Sequence, residues 1–182
     1  ANDLETIQSE GHDAVRKVDA NMVVKKKGGK DVEVPDGWAG HILPFDLVQE
    51  KLLSADLAEI GTYESRLTEI SSEIADILEN LDEDDKNSTD AVSEDGDSFV
   101  ATELKKAVKS IGKDPETDFD RALVNAQRLF DEEREVKKNV KNLRSALDEK
   151  TRTVIEGLSG EQAADLLAAK WVEPLQRKLE EL

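Results

Sequence analysis

The chain has 182 residues, of which 37% are hydrophobic, 4% aromatic and 37% charged, with a formal net charge of −17. That mixture suits long exposed helices better than a large globular core, and so acidic a surface repels a phosphate backbone, leaving only a local basic patch able to touch DNA. The lack of cysteine excludes disulfide and thiolate chemistry and agrees with a cytoplasmic location, and no apolar run approaches the roughly 20 residues of a membrane helix.

Residues 2–18 read as a short amphipathic helix with Leu4, Ile7, Ala14, Val15 and Val18 on one side, interrupted by Gly11. From Met22 to Val34, two β-branched runs flank Gly28-Gly29. Glycine supplies the positive φ of a tight hairpin turn. A two-stranded hairpin is marginal by itself and needs something to pack on. Pro35, Gly37 and Gly40 read as a turn after it.

A helix is expected from Phe45 to Leu81, spanning about 55 Å at 1.5 Å per residue. Leu53, Ile60, Leu67, Ile74 and Leu81 recur every seven residues, with Tyr63, Ile70 and Ile77 between them. The stripe continues in phase through Gly61, so the reading keeps a single helix. Residues 82–98 carry eight acids against Lys86 and read as a mobile loop with nothing to bury. The acids could supply oxygen ligands to calcium, but the EF-hand spacing is not met.

Phe99–Ile111 reads as a helix ended by Gly112 and Pro115. A second long helix, capped by Thr117 or Asp118, should run to about Glu156 and stop at Gly157. Val136, Val140, Leu143, Leu147 and Val154 repeat the three-four spacing. Ser159 to Gln162 is a capping box for a short helix through Ala169. The last helix is expected to open near Trp171, with Pro174 in its first turn and Val172, Leu175 and Leu179 on its apolar face.

These readings give a mostly α protein: long antiparallel coiled-coil-like helices, shorter C-terminal helices and a small N-terminal β-hairpin. The divisions are 1–44, with the hairpin; 45–81, the long helix; 82–98, the acidic loop; and 99–182, a helical C-terminal region. A stripe so narrow needs another helix to cover it. Leu67, Ile70, Ile74, Val140, Leu143 and Leu147 are therefore expected in the seam between the long helices or in a partner-binding seam.

No residue set in the chain suggests catalysis or a metal site. His12 and His41 lie in separate segments without ligand spacing. No serine has a Gly-x-Ser-x-Gly context, and Gly28-Gly29 lacks the Gly-x-x-x-x-Gly-Lys-Ser/Thr pattern of a phosphate loop. Lys25, Lys26, Lys27 and Lys30, with Arg16 and Lys17 upstream, form a basic run. Its lysines either contact phosphates or guard a hairpin edge. The lack of interleaved aromatics favours the guard. Trp38 and Trp171 sit at junctions and read as anchors docking segment ends onto the helical body, with partner binding as the alternative.

Two stretches resemble the methylation (M) subunits of type I restriction–modification systems. One is Pro35–Leu53, with the pattern Trp-x-Gly-x-Ile-x-Pro-Phe-x-Leu-Val from Trp38 to Val48. The other is Leu129–Gln176, where Lys170-Trp171 matches a Lys-Trp pair and Leu158-Ser159-Gly160-Glu161 is a variant of a Leu-Thr-x-x-Glu turn. The resemblance covers most of residues 13–182, though the acidic segment is longer than the family suggests. It implies a parent enzyme that methylates adenine N6 in DNA with S-adenosylmethionine. It also implies that this chain is a piece of that enzyme, which the start at Ala1 would fit, and that its helices dock on the DNA-specificity (S) subunit. The family's Asn-Pro-Pro-Tyr/Phe motif cannot be formed from Pro35, Pro44, Pro115 and Pro174, the only prolines. Its glycine-rich cofactor loop is also missing. The chain alone is therefore expected to bind no S-adenosylmethionine and transfer no methyl group. The rival expectation is a stand-alone coiled-coil adaptor or oligomerisation module unrelated to DNA.

Overall fold

The computed structural model describes residues 3–180 and is mostly helical. Its helices are α1 (Asp3–Glu10), α2 (Phe45–Leu52), α3 (Ser54–Glu79), α4 (Glu83–Asn87), α5 (Ala101–Ile111), α6 (Asp118–Glu156), α7 (Gly160–Trp171) and α8 (Glu173–Glu180). A 3-10 turn (His12–Arg16) follows α1. Strands β1 (Val18–Lys27) and β2 (Lys30–Gly40) form an antiparallel hairpin.

The chain divides into two compact units, Ala1–Ile60 with Asn142–Leu182, and Gly61–Lys141. These do not follow the linear divisions expected from composition, because each unit joins segments far apart in sequence. Both α3 and α6 contribute residues to each.

In the first unit, Ala14, Val15, Ile42, Leu43, Val48, Ile155, Leu158 and Leu166 form a buried core. The 3-10 turn buries Ala14 and Val15, and Arg16 Nε donates to the Leu158 carbonyl at 2.6 Å. Leu4, expected on the apolar side of one N-terminal helix, is exposed, while Ile7 of the same helix packs on the core; Gly11, at φ 82°, separates α1 from the 3-10 turn. Residues Pro35–Gly40 are not a turn. They continue β2, with Trp38 opposite Ala20 and Gly40 opposite Val18, past an irregularity between Ala20 and Met22.

The expected single helix from Phe45 breaks at Leu53, which adopts φ −127° and ψ 30°. Leu53 N still donates to Gln49 O, and Leu57 N to Leu53 O, so hydrogen bonding continues on both sides. The break leaves Leu53 buried and Leu52 exposed. No proline or glycine marks the position, and Gly61 lies within unbroken α3.

In the second unit, the part of α3 from Gly61 onward runs antiparallel to the start of α6. Ile70, Leu129 and Val136 are buried there, with Tyr63, Leu67, Ile74, Ile77 and Val140 packed against them. Arg66 pairs with Glu73 and Glu132 at 2.7 Å and with Glu69 at 3.1 Å. Its bond to Glu132 leads the others in holding the guanidinium in its charged form, and Arg66 in turn lowers the Glu132 pKa. Thr117 caps α6: its hydroxyl accepts from Asp120 N, and Asp120 Oδ2 accepts from Thr117 N. That reciprocal pair satisfies two N–H groups at the helix start.

Residues 82–98 do have something to bury. Asp82 precedes the short α4, and Ala91 and Val92 are buried with Leu78, Phe99, Leu104 and Leu123. Val92 bridges Phe99 in antiparallel fashion, Ser93 N donating to Ser98 O and Val100 N to Ala91 O, both at 2.8 Å. The Phe99 ring meets Phe130 edge-on at 6.5 Å. Composition concealed this, because two apolar residues among eight acids are enough to pin the segment at one point.

Candidate functional site

Of the six residues expected in a seam between the long helices or in a partner-binding seam, Leu67, Ile70, Ile74 and Val140 pack within the fold. Ile70 is fully buried, Leu147 is buried, and Leu67, Ile74, Val140 and Leu143 are half-buried. The antiparallel return covers the stripe of Gly61–Lys141 from within, which a linear reading cannot distinguish from covering by another chain. The more exposed apolar side chains lie elsewhere.

Exposed apolar residues stand on two elements of the first unit, α2 and the α7–α8 junction. Ser159 opens α7 with the expected capping box: its hydroxyl accepts from Gln162 N, and Gln162 Oε1 accepts from Ser159 N. The helix closes on Trp171, so the expected opening of the last helix there is corrected by two residues; α8 starts at Glu173, with Pro174 in its first turn. Lys170 is drawn inward, donating to Ile42 O at 2.6 Å and pairing with Asp3, and Trp171 Nε1 donates to the same carboxylate at 3.4 Å. Lys170 thereby holds the Asp3 carboxyl below its ordinary pKa. Lys51 pairs with Glu173 at 2.8 Å. Beside these contacts Leu52, Val172 and Leu175 stand exposed, Val172 by 47% and Leu175 by 62%. A groove of about 190 Å³ is bordered by Leu52, Gln162, Asp165, Leu166, Ala169 and Glu173. The expected apolar face of α8 also names Leu179, whose side chain lies outside the described residues. Leu52 was missed in the sequence, where the adjacent Leu52-Leu53 pair was the one available signal.

Trp38 is an anchor within the fold. The Arg152 guanidinium lies over its ring at 3.9 Å, and Trp38 Nε1 donates to Glu149 at 2.9 Å. His41 sits nearby in the chain, its Nδ1 2.6 Å from Asp19 and its Nε2 3.4 Å from Glu10. The bond to Asp19 raises the His41 pKa. The carboxyl of Glu10 is lowered chiefly by Lys17, 2.6 Å away.

The hairpin presents Lys25, Lys26, Lys27 and Lys30 at its tip, all exposed. The turn forms at Gly28 and Gly29, with φ of 60° and 79°. Lys25 pairs with Asp36 at 3.2 Å.

The acidic segment surrounds a basin of about 570 Å³ bordered by Glu83, Lys86, Asp90, Glu94, Asp95 and Asp97. The Ser93 hydroxyl, donating to Asp95, is the main cause of a lowered Asp95 pKa. Among the described residues no group of three His, Cys, Asp or Glu side chains is placed to hold a metal ion. No helix among them is long and apolar enough to cross a membrane. Comparison with known proteins finds no matching family model, no matching curated protein and no matching solved structure.

Proposed function

We propose that this chain is the C-terminal helical region of a type I restriction–modification M subunit, and that it docks that subunit onto the DNA-specificity subunit in the cytoplasm. The parent enzyme would be a site-specific DNA adenine N6-methyltransferase using S-adenosylmethionine. Docking would hold its catalytic domain where a flipped adenine can be reached at the recognised site. The observation that carries the reading is the exposure of large apolar side chains, Leu52 at the rim of a groove and Val172 and Leu175 just after the Lys170-Trp171 pair in the chain. Exposed aliphatic side chains next to a groove suit the apolar face of a partner helix. The Trp38–Val48 pattern supports the same reading from sequence, and its Ile42, Leu43 and Val48 share a buried core with Leu166, which borders the groove beside Leu52.

Co-purification of the chain with a specificity subunit encoded beside its gene tests the proposal. Capture should be lost in a Val172→Asp/Leu175→Asp variant that keeps wild-type helicity. A variant that still captures the subunit would remove this surface from the interface, and failure of the wild-type chain to capture it would remove the assignment. Calorimetry with S-adenosylmethionine is expected to show no stoichiometric binding, because the chain carries neither the Asn-Pro-Pro-Tyr/Phe motif nor the cofactor loop.

A further inference from the structure

We propose that the β1–β2 hairpin is a DNA-binding arm whose lysine face lies against the phosphates of double-stranded DNA. This goes beyond the docking reading and uses a different surface. Val18, at the base of the hairpin, packs on the core. Every residue from Val24 to Glu33 is exposed, including Val24 at 62% and Val32. Among the described residues the side-chain bonds of the arm beyond Ala20 stay inside the hairpin, from Asn21 to Asp36 O and from Lys25 to Asp36.

Charge is sorted along and across this arm. Met22–Lys30 holds four lysines and no acid, in a chain of net charge −17. Residues directly opposite in an antiparallel pair share a face, and alternate residues share it along each strand. The pairs Val23–Val34, Lys25–Val32 and Lys27–Lys30 therefore build one face. The pairs Val24–Glu33 and Lys26–Asp31 build the other. The first face collects three lysines against Asp36, while Asp31 and Glu33 fall on the second. Among the described residues Lys27 and Lys30 have no ion-pair partner.

Separation from the base of the hairpin makes the patch usable. At about 3.3 Å per residue, Lys25 lies roughly 20 Å along the strand from Val18. The screening length at physiological salt is about 8 Å. A polyanion meeting the tip is thus largely shielded from the acids at the base of the hairpin, Asp19 among them. The nature of the polyanion follows from what the arm lacks. It has no arginine fork and no free aromatic ring, since Trp38 is engaged by Arg152 and Glu149. Single strands and RNA loops are held by stacking, which this arm does not offer. A two-stranded ribbon with strands about 4.8 Å apart enters the major groove of B-form DNA, which is about 12 Å wide, whereas the major groove of A-form RNA is too narrow. Lysines without forks give phosphate contacts and no sequence preference.

The test is fluorescence anisotropy of the whole chain with a labelled DNA duplex of arbitrary sequence at 50 mM salt, repeated across a salt series. Binding is expected, with more than tenfold loss in Lys25→Ala/Lys27→Ala/Lys30→Ala. The slope of log K against log salt should flatten by about 2.7 when three phosphate contacts are removed. A charge-matched control, Lys105→Ala/Lys109→Ala/Lys113→Ala, should bind as the wild type. Lack of wild-type binding, equal loss in the control, or equal affinity for single-stranded DNA or duplex RNA would overturn the proposal. So would displacement by poly-glutamate at equal charge, which would point to an acidic protein. Self-association of the lysine variant at unchanged DNA affinity would return these lysines to guarding an exposed edge.

Discussion

Gly40 and Leu43 approach so closely that a Cβ on Gly40 would fall 1.8 Å from the Leu43 carbonyl oxygen and 3.5 Å from Ile155 Cδ1. The Gly40 of the Trp38–Val48 pattern is therefore a packing requirement. It lets the end of β2 fold tightly onto the turn that delivers Ile42 and Leu43 to the core.

Gly40→Ala should destabilise the chain by about 1–3 kcal/mol, the usual cost of forcing a methyl group into a filled site. Gly61 is a natural control, since a Cβ there meets nothing within 4 Å and the residue lies inside α3. Gly61→Ala should stabilise by about 0.5–1 kcal/mol. Urea unfolding of both variants checks the pair; equal shifts would refute the contact argument.

Ile70→Ala is expected to cost about 2–5 kcal/mol, because the side chain is fully buried between α3 and α6. The half-buried Leu143 should tolerate alanine better. Replacing both with aspartate would place carboxylates against apolar neighbours and should abolish the cooperative thermal transition. A double aspartate variant with native helicity by circular dichroism would show that these stripes are not core.

Phe99→Ala should release the acidic segment. The ring is buried against Leu78, Leu104 and Leu123 and meets Phe130 edge-on, so truncation should cost about 3–5 kcal/mol. Limited proteolysis, read by mass spectrometry, is expected to cut first within 82–98 in both proteins and faster in the variant. Unchanged cleavage would mean that the Val92–Phe99 bridge does not restrain the segment.

His41 should make stability fall as pH rises above the unfolded histidine value. Its pKa is raised in the folded chain, chiefly by the hydrogen bond to Asp19. A raised folded pKa gives stabilisation that is complete below the unfolded value of about 6.5 and is lost as pH climbs through the folded value. Glu10, whose pKa is lowered chiefly by Lys17, acts in the acidic range with the opposite sign: its contribution is present above the unfolded carboxylate value and fades on acidification. Chemical denaturation between pH 6 and 9 should show a decline in wild type that is reduced in His41→Gln. Parallel curves would remove His41 as the cause.

The sequence by itself determined the local features. Gly28-Gly29 set the hairpin turn, Ser159 and Gln162 capped α7, Thr117 or Asp118 marked the start of α6, and the heptad spacing required two long helices to be covered along one face. Each rests on chemistry within a few residues. Tertiary structure decided what local patterns leave degenerate. An apolar stripe is the same whether its cover is the same chain or another, and the return of α6 along α3 spent Ile70 and its neighbours internally. The break at Leu53 was invisible because no residue there disfavours a helix; burying Leu53 sets the bend and leaves Leu52 outside. β2 extends past Pro35, which pairs with Met22, and Gly37 uses its positive φ of 83° at the irregularity in the pairing, so that the strand continues where a turn was expected. The pinning of the acidic segment likewise depends on Val92 finding Phe99 and Leu123, partners that composition cannot locate.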